Sequence, residues 1–218
     1  MIPASAPVAN LDAVSCPTTS YCVVSGYYVT STGGHAWADS FDGAHWKVLS
    51  IPQPQDSASG ISLDEVSGVS CSSKTSCALV GTQFQLNSAG TAVTSNSGFA
   101  ETLANGSWTV TTVPPAGENS ELNGVDCTSS RFCVATGGVG SYNTPVDGEG
   151  DVVLWNGAAW TPTLINPGTN MGSEFVGIDC TSTSYCVAVG TQGTFDTGTG
   201  QATSAFYNGV NWTQHTAP

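Results

Sequence analysis

Eight cysteines carry the most definite chemistry in this sequence. They form four pairs with one spacing, C-x5-C, and the first cysteine of each pair recurs after 55, 56 and 53 residues. Thiols at such a spacing form short-range disulfides or bind a metal, and zinc sites usually show shorter spacings. The pattern therefore predicts four disulfides and an oxidising compartment, with about 2 kcal/mol of stabilisation from each small ring. The predicted pairs are Cys16–Cys22, Cys71–Cys77, Cys127–Cys133 and Cys180–Cys186.

A second group with possible chemistry is the segment from Asp147 to Asp151, which reads D-G-E-G-D. It places the carboxylates of Asp147, Glu149 and Asp151 at alternate positions with glycines between them. Carboxylate oxygens on a flexible loop suit a hard cation, so calcium is one interpretation of this segment. The EF-hand pattern is incomplete, however, and a solvated acidic loop is the other interpretation. No other cofactor is expected.

Catalytic arrangements are scarce. The only histidines are His35, His45 and His215, and no Ser-His-Asp arrangement can be recognised among so many serines. Asp39 and Glu101 are a carboxylate pair of the type used in glycoside hydrolysis, but nothing in their spacing is specific. The sequence therefore favours a binding protein over an enzyme.

The excess of acidic residues argues against two further classes of partner, nucleic acids and anionic membranes. Three basic residues against 16 acidic ones give a formal net charge of −13, so the Lys/Arg footprint that nucleic acids and anionic membranes require is missing. No apolar run approaches the ~20 residues that span a bilayer. Residues 1–12 lack the pattern of a signal peptide. We expect a secreted protein whose signal has been removed.

The elements that position these residues come from a repeat. Each cysteine pair lies in a longer pattern, of which L-N-G-V-D-C-T-S-S-R-F-C-V-A-T-G is one of four copies, and each copy is followed by Asp-Gly or Asn-Gly and then Trp. Asn-Gly and Asp-Gly suit the positive φ values of a type I′ hairpin turn. Each copy is therefore predicted to form two hairpins, with four strands in the order a, b, c and d.

Four antiparallel strands repeating about every 50 residues fit a β-propeller blade. The predicted fold is an all-β propeller of four four-stranded blades with one disulfide in each blade. It covers residues 1–218, with blades at approximately 9–54, 61–115, 120–167 and 173–218. A small residue recurs at one position of strand a, which suits the crowded region beside the ring axis. These residues are Ala13, Gly68, Gly124 and Gly177.

The combination C-x5-C-v-a-v-G followed by [DN]-G-x-x-W resembles repeats of secreted actinobacterial proteins of mostly uncharacterised function, over essentially the whole chain. Its layout is similar to that of Asp-box and kelch-like propeller blades. The resemblance implies a propeller fold and export, and it brings no catalytic residue. In the Asp-box pattern, Asp does not directly precede Gly as it does here, so Asp-box function is not carried over.

Two arrangements of the ring are open at this point. Four blades close alone and give a monomer, or the chain forms a half-ring that pairs with a second copy to give eight blades. Nothing in the sequence supplies an exchanged strand that would lock a four-blade ring.

The b–c connections are predicted to be long, dissimilar loops at residues 27–37, 82–98, 138–150 and 191–201. Any ligand site is expected on the face formed by the b–c and d–a connections, since loops on a rigid scaffold are where binding residues concentrate. Aromatic rings together with amides suit sugars, and packing between blades is the alternative role for such residues. The candidates are Tyr27, Tyr28, His35, Trp37, Gln83, Tyr142, Asn143 and Gln192. We expect an extracellular recognition module for a glycan or a protein partner. A carbohydrate-active hydrolase or lyase and a structural surface or assembly subunit are the alternatives.

Overall fold

The structure, a computed structural model, describes residues 8–54, 61–111, 113–114, 117, 119–141, 144–165, 172–194 and 199–216. Every regular element in these ranges is a β-strand, and none of them forms a helix that could cross a membrane. The frequent glycines and the lack of apolar helical periodicity account for this all-β architecture.

Sixteen strands follow one another in groups of four. The first blade contains β1 (Val8–Thr18), β2 (Tyr21–Thr30), β3 (Gly33–Phe41) and β4 (Trp46–Val48). The second contains β5 (Ser62–Ser73), β6 (Ser76–Leu86), β7 (Val93–Ala104) and β8 (Ser107–Thr111). The third contains β9 (Ser120–Ser129), β10 (Phe132–Ser141), β11 (Thr144–Trp155) and β12 (Trp160–Ile165). The fourth contains β13 (Gly172–Ser182), β14 (Tyr185–Thr194), β15 (Thr199–Tyr207) and β16 (Trp212–Thr216).

Within each blade the strands pair antiparallel in sequence order, as strands a, b, c and d. A single parallel bridge between Gly34 and Leu63 joins the first two blades into one eight-stranded sheet. The propeller fold of four-stranded antiparallel blades is thus confirmed.

All four predicted disulfides are present, each within its own blade, and the described residues contain no free cysteine. Each bridge links strand a to strand b across their tight turn, and Cys71–Cys77 and Cys127–Cys133 join residues that are direct partners in the sheet. The prediction made from the cysteine spacing is therefore confirmed.

The c–d turns differ from the single type predicted. Only Asn105 and Gly106 both have positive φ, 52° and 81°, as a two-residue type I′ turn requires. In the other three blades an extra residue separates Gly from Trp, and the Asp or Asn side chain accepts two backbone N–H bonds instead. Asn156 Oδ1, for example, accepts from Ala158 N and Ala159 N at 2.9 and 3.0 Å.

The b–c connections are also shorter than predicted. Strands β2 and β3 pair as far as Thr30 and Gly33, so only two residues form their turn. Pairing likewise continues to Ser141 and Thr144 in the third blade. Most of the segments predicted as long variable loops are therefore the ends of long hairpins.

Each strand b has a glycine directly after its apolar run, and a bulge in strand a leaves no room for a side chain there. The register of β9 and β10 shifts between Thr136 and Gly137, and a Cβ at Gly137 would overlap the carbonyl oxygen of Glu121. The same overlap arises in every blade because each strand a carries the same extra residue. The glycines in question are Gly26, Gly81, Gly137 and Gly190.

Blades pack face to face through apolar residues of neighbouring sheets. Each disulfide of the second, third and fourth blades lies on the face toward the preceding blade. A Cβ at Gly68 would lie 3.4 Å from the Cα of Gly124, and one at Gly124 would lie 3.4 Å from the Cα of Gly177. Neighbouring inner strands therefore meet at these small residues, as the sequence predicts.

The array of blades is open. Strand β5 packs on β1, β9 on β5 and β13 on β9, but among the described residues no comparable packing joins β13 to β1. In the part of the chain that the structure describes, the first and fourth blades are therefore the two ends of the array.

Candidate functional site

The aromatic candidates of the first blade lie on strands. Tyr28 and His35 are cross-strand partners with ring centroids 5.1 Å apart, and Trp37 follows on the same face two residues later. This face points away from the second blade, whereas Tyr27 belongs to the opposite face and accepts a 2.8 Å bond from Asn10 Nδ2. The four side chains therefore do not converge on one site.

Gln83 and Gln192 occupy equivalent positions on strand b of their blades, and both are buried. Gln83 Nε2 donates to Asp64 Oδ1 at 2.9 Å, and Gln192 Nε2 donates to Thr216 Oγ1 at 2.6 Å. Their amides are thus engaged within the protein. The other two candidates, Tyr142 and Asn143, lie outside the described residues.

The acidic segment is part of strand β11. Glu149 is opposite Val139, and Asp151 is opposite Gly137. Asp151 is 1% exposed, and burial raises the pKa of its carboxyl to about 7. Asp147 belongs to the same strand. No group of three or more Asp, Glu, His or Cys residues suitable for a metal ion occurs in the part of the chain that the structure describes.

Asp39 and Glu101 occupy equivalent positions on β3 and β7, where they pair with Val24 and Leu79. Glu101 is fully buried between the first two blades. Desolvation, reinforced by the nearby Asp64, raises the pKa of Glu101 to about 8. A carboxyl with no access to solvent cannot reach a substrate, so these two residues do not form a glycosidase pair.

The structure brings together a different set of carboxylates on the inner strands. Glu65, Glu121 and Glu174 occupy the same position of strand a in successive blades, each opposite the residue after the invariant strand b glycine. Burial raises the pKa of Glu65, and the charges of Asp12 and Glu121 raise it further. Burial and Glu174 likewise raise the pKa of Glu121. We call Asp12, Glu65, Glu121 and Glu174 the inner acidic row.

Neutral amides from neighbouring strands hold two of these carboxylates in place. Asn96 Nδ2 donates to Glu121 Oε1 at 2.6 Å, and Asn123 Nδ2 donates to Glu174 Oε1 at 2.8 Å. Asn123 Nδ2 also reaches the carbonyl oxygen of Phe175 at 3.3 Å. An amide orients a carboxylate but brings no positive charge to it, so these contacts supply no counter-ion for the row.

The few cations of the chain are at the other end of the blades. Lys74 and Arg131 lie in a–b turns, and Lys47 lies on β4 beside a c–d turn. In an antiparallel meander these turns share one end, whereas the inner acidic row lies toward the end of the b–c turns. The molecule is therefore electrostatically polarised along the direction of its strands.

Grooves lie between blades in the part of the chain that the structure describes, and two of them are large enough for a ligand. One, of about 560 Å³, separates the third and fourth blades and is lined by Tyr207 and Trp212 together with Thr161, Thr163, Asn211 and Gln214. The rings of Tyr207 and Trp212 stack with centroids 5.0 Å apart. The other groove, of about 570 Å³, lies beside the a–b turns of the second and third blades. Neither groove is on the face where the sequence predicted a ligand.

The inner acidic row was not predicted from the sequence, although the repeat contains a signal for it. Glutamate stands three residues before the small residue of strand a in E-V-S-G, E-L-N-G and E-F-V-G, and the first copy has Asn10 there. Aligning the copies one residue further toward the amino terminus would have shown three glutamates at one structural position.

Comparison with known proteins adds the fold alone. No protein-family model and no curated protein matches this sequence. Among solved structures, the chain is similar to the β-propeller described as "YCF48 bound to D1 peptide", with 11% identity and a TM-score of 0.52. The match covers 98% of this chain and 56% of that one, so this chain spans little more than half the length of that propeller.

Proposed function

We propose that this protein is an extracellular, non-enzymatic binding module that takes a cationic segment of a protein partner on its inner acidic row. The observation that carries the proposal is the meeting of Glu65, Glu121 and Glu174 on adjacent inner strands, with every Lys and Arg at the opposite end. Neighbouring carboxylates raise the pKa of Glu65 and of Glu121, so an incoming cation stabilises this surface by relieving the repulsion between the charges.

Three further observations support this proposal. The similar structure is a propeller described as bound to a peptide, so the architecture accommodates a peptide in that protein. Four disulfides indicate an oxidising compartment, which favours an extracellular location. The resemblance to secreted actinobacterial repeats also favours export.

Peptide binding tests this function directly. We expect a fluorescent Lys/Arg-rich peptide to bind with an anisotropy change, and the affinity to fall as salt rises because the attraction is between charges. The double change Glu121→Gln and Glu174→Gln should weaken binding about tenfold or more, since it removes two charges while keeping side-chain shape.

The matched control is Asp42→Asn, which removes an exposed charge in a c–d turn at the other end of the blade. It should leave peptide affinity unchanged. Equal affinity for an acidic peptide of the same length, or full binding by the double variant, would contradict the proposal.

A glycan is the second candidate ligand, favoured by one observation. The groove between the third and fourth blades combines the Tyr207–Trp212 stack with Asn211 and Gln214, and sugars present C–H faces and hydroxyls to such surfaces. A glycan array run beside the peptide assay separates the two. Glycan binding that persists in the Glu121 and Glu174 double variant would assign recognition to this groove.

A further inference from the structure

One hydrogen bond recurs at every junction between blades. The residue before the first cysteine of a blade accepts a bond from the backbone N–H of the first cysteine of the next blade. Cys71 N donates to Ser15 Oγ at 2.9 Å, and Cys127 N donates to Ser70 Oγ at 3.0 Å. At the third junction, Cys180 N donates to Asp126 Oδ2 at 2.8 Å. Serine and aspartate thus serve equally as the acceptor.

At the two ends of the array, one acceptor and one donor of this type lack the partner that an adjacent blade would supply. Asp179 stands before Cys180 and is the equivalent of Ser15, Ser70 and Asp126, but it is exposed and accepts no such bond from the described residues. At the other end, Cys16 is exposed, whereas Cys71, Cys127 and Cys180 are each 8% exposed beneath the preceding blade. An acceptor and a donor of the same type therefore stand at opposite ends of one chain.

The face of the first blade that points away from the second exposes several large apolar side chains. Leu11 and Val14 are 57% and 64% exposed, while their equivalents Val66 and Val69 in the second blade are 1% and 7% exposed. Trp46 is likewise 55% exposed on this face. We call this surface the leading face.

The fourth blade shows the reciprocal surface. Val189 is 48% exposed, whereas the residues at its position in the first three blades, Ser25, Val80 and Thr136, are fully buried by the following blade. A Cβ at Gly177 would touch only Val189 of its own blade, whereas one at Gly68 or Gly124 would touch the next blade. We call this surface the trailing face.

We propose that two copies of this chain associate head to tail, the trailing face of each packing on the leading face of the other, to close an eight-bladed ring. Each seam repeats the internal junction. Asp179 of one copy accepts the N–H of Cys16 of the other, and Val189 covers the apolar residues Leu11 and Val14. Because each seam uses two different faces, the interface is heterologous and two identical seams close the ring.

The partner is a second copy because the two faces are complementary in the way that three junctions of the same chain already show. Eight blades lie within the usual range for propellers. The net charge of −13 on each chain opposes association at low salt. At physiological ionic strength this repulsion is screened beyond about 8 Å, so the apolar seam prevails.

Light scattering at increasing protein concentration and physiological salt tests the proposal. The wild type should reach twice its mass of 22.1 kDa and stop there. Val14→Lys on the leading face and Val189→Lys on the trailing face should each give a monomer, because every seam uses both faces. The matched control is Val110→Lys on β8, where the valine is 40% exposed on a strand that belongs to neither face, and it should remain a dimer.

Several outcomes would overturn the closed ring. A wild type that stays at the monomer mass, or one whose mass keeps rising past two copies, contradicts it. Dimers that survive one of the two seam substitutions point to like faces meeting instead. Since both valines are exposed in the single chain, circular dichroism should show unchanged folding in all variants, which separates loss of the seam from loss of the fold.

Discussion

Replacing Gly137 by alanine should destabilise the protein by about 3 to 5 kcal/mol, the range of the largest single-residue effects. The added Cβ would overlap the backbone carbonyl oxygen of Glu121, an atom of the neighbouring strand that cannot move without disrupting the bulge. The change acts by steric overlap and not by glycine's freedom at positive φ, because Gly137 is not among the glycines with positive φ.

Chemical denaturation of Gly137→Ala beside Gly200→Ala provides the comparison. Gly200 is also in a strand, but a Cβ there meets nothing within 4 Å. We expect Gly200→Ala to unfold at the wild-type denaturant concentration or slightly above it, since alanine is favoured over glycine in a strand. Similar denaturation midpoints for the two variants would show that the β9–β10 bulge can rearrange around an added Cβ at little cost in stability.

Replacing Glu101 by glutamine should stabilise the protein at pH 9 by up to about 5 kcal/mol, a value that converts the whole pKa shift into free energy. The folded protein raises the pKa of Glu101 from 4.5 to about 8, so the folded state holds this proton where the unfolded chain has released it. Folding stability therefore falls as pH rises from about 4.5 to about 8. Glutamine is neutral throughout and removes that loss.

Thermal unfolding at pH 5 and pH 9 measures this effect. At pH 5 the glutamate is protonated in the folded state, so the variant should melt close to the wild type there, which serves as the internal control. The buried Asp151, with its pKa raised to about 7, should leave part of the pH dependence in Glu101→Gln. If the melting temperatures of the variant and the wild type differed by the same amount at pH 5 and pH 9, this would contradict the burial of an uncompensated carboxyl in the first junction.

The regular parts of this fold could be predicted because the sequence repeats them. The cysteine spacing specified both partners of each disulfide, and the small residues of strand a indicated where inner strands meet. The c–d turns were less predictable, because one extra residue between Gly and Trp changes which groups accept hydrogen bonds from the backbone N–H groups of the turn. The full length of the strands could not be predicted, because the Ser, Thr and Gly residues near the b–c turns are equally typical of loops.

The candidate site was harder to predict, since it depends on contacts between repeats. Tyr28 and Trp37 lie on an outward sheet face, and Gln83 and Gln192 are buried within the protein; none of these placements can be inferred from residue type. Glu65, Glu121 and Glu174 are more than 50 residues apart in sequence and become neighbours only when the inner strands are placed side by side. Local sequence patterns predict blades, but the distances between blades require the assembled structure.

The four disulfides have a consequence for how the chain folds in an oxidising compartment. Eight cysteines can be paired in 105 ways, yet every native partner is only six residues along the chain. Closing so short a loop costs little entropy, so each thiol meets its correct partner far more often than a distant one. Each hairpin can be oxidised as it emerges, independently of the others, and the protein needs little disulfide reshuffling to reach its native state.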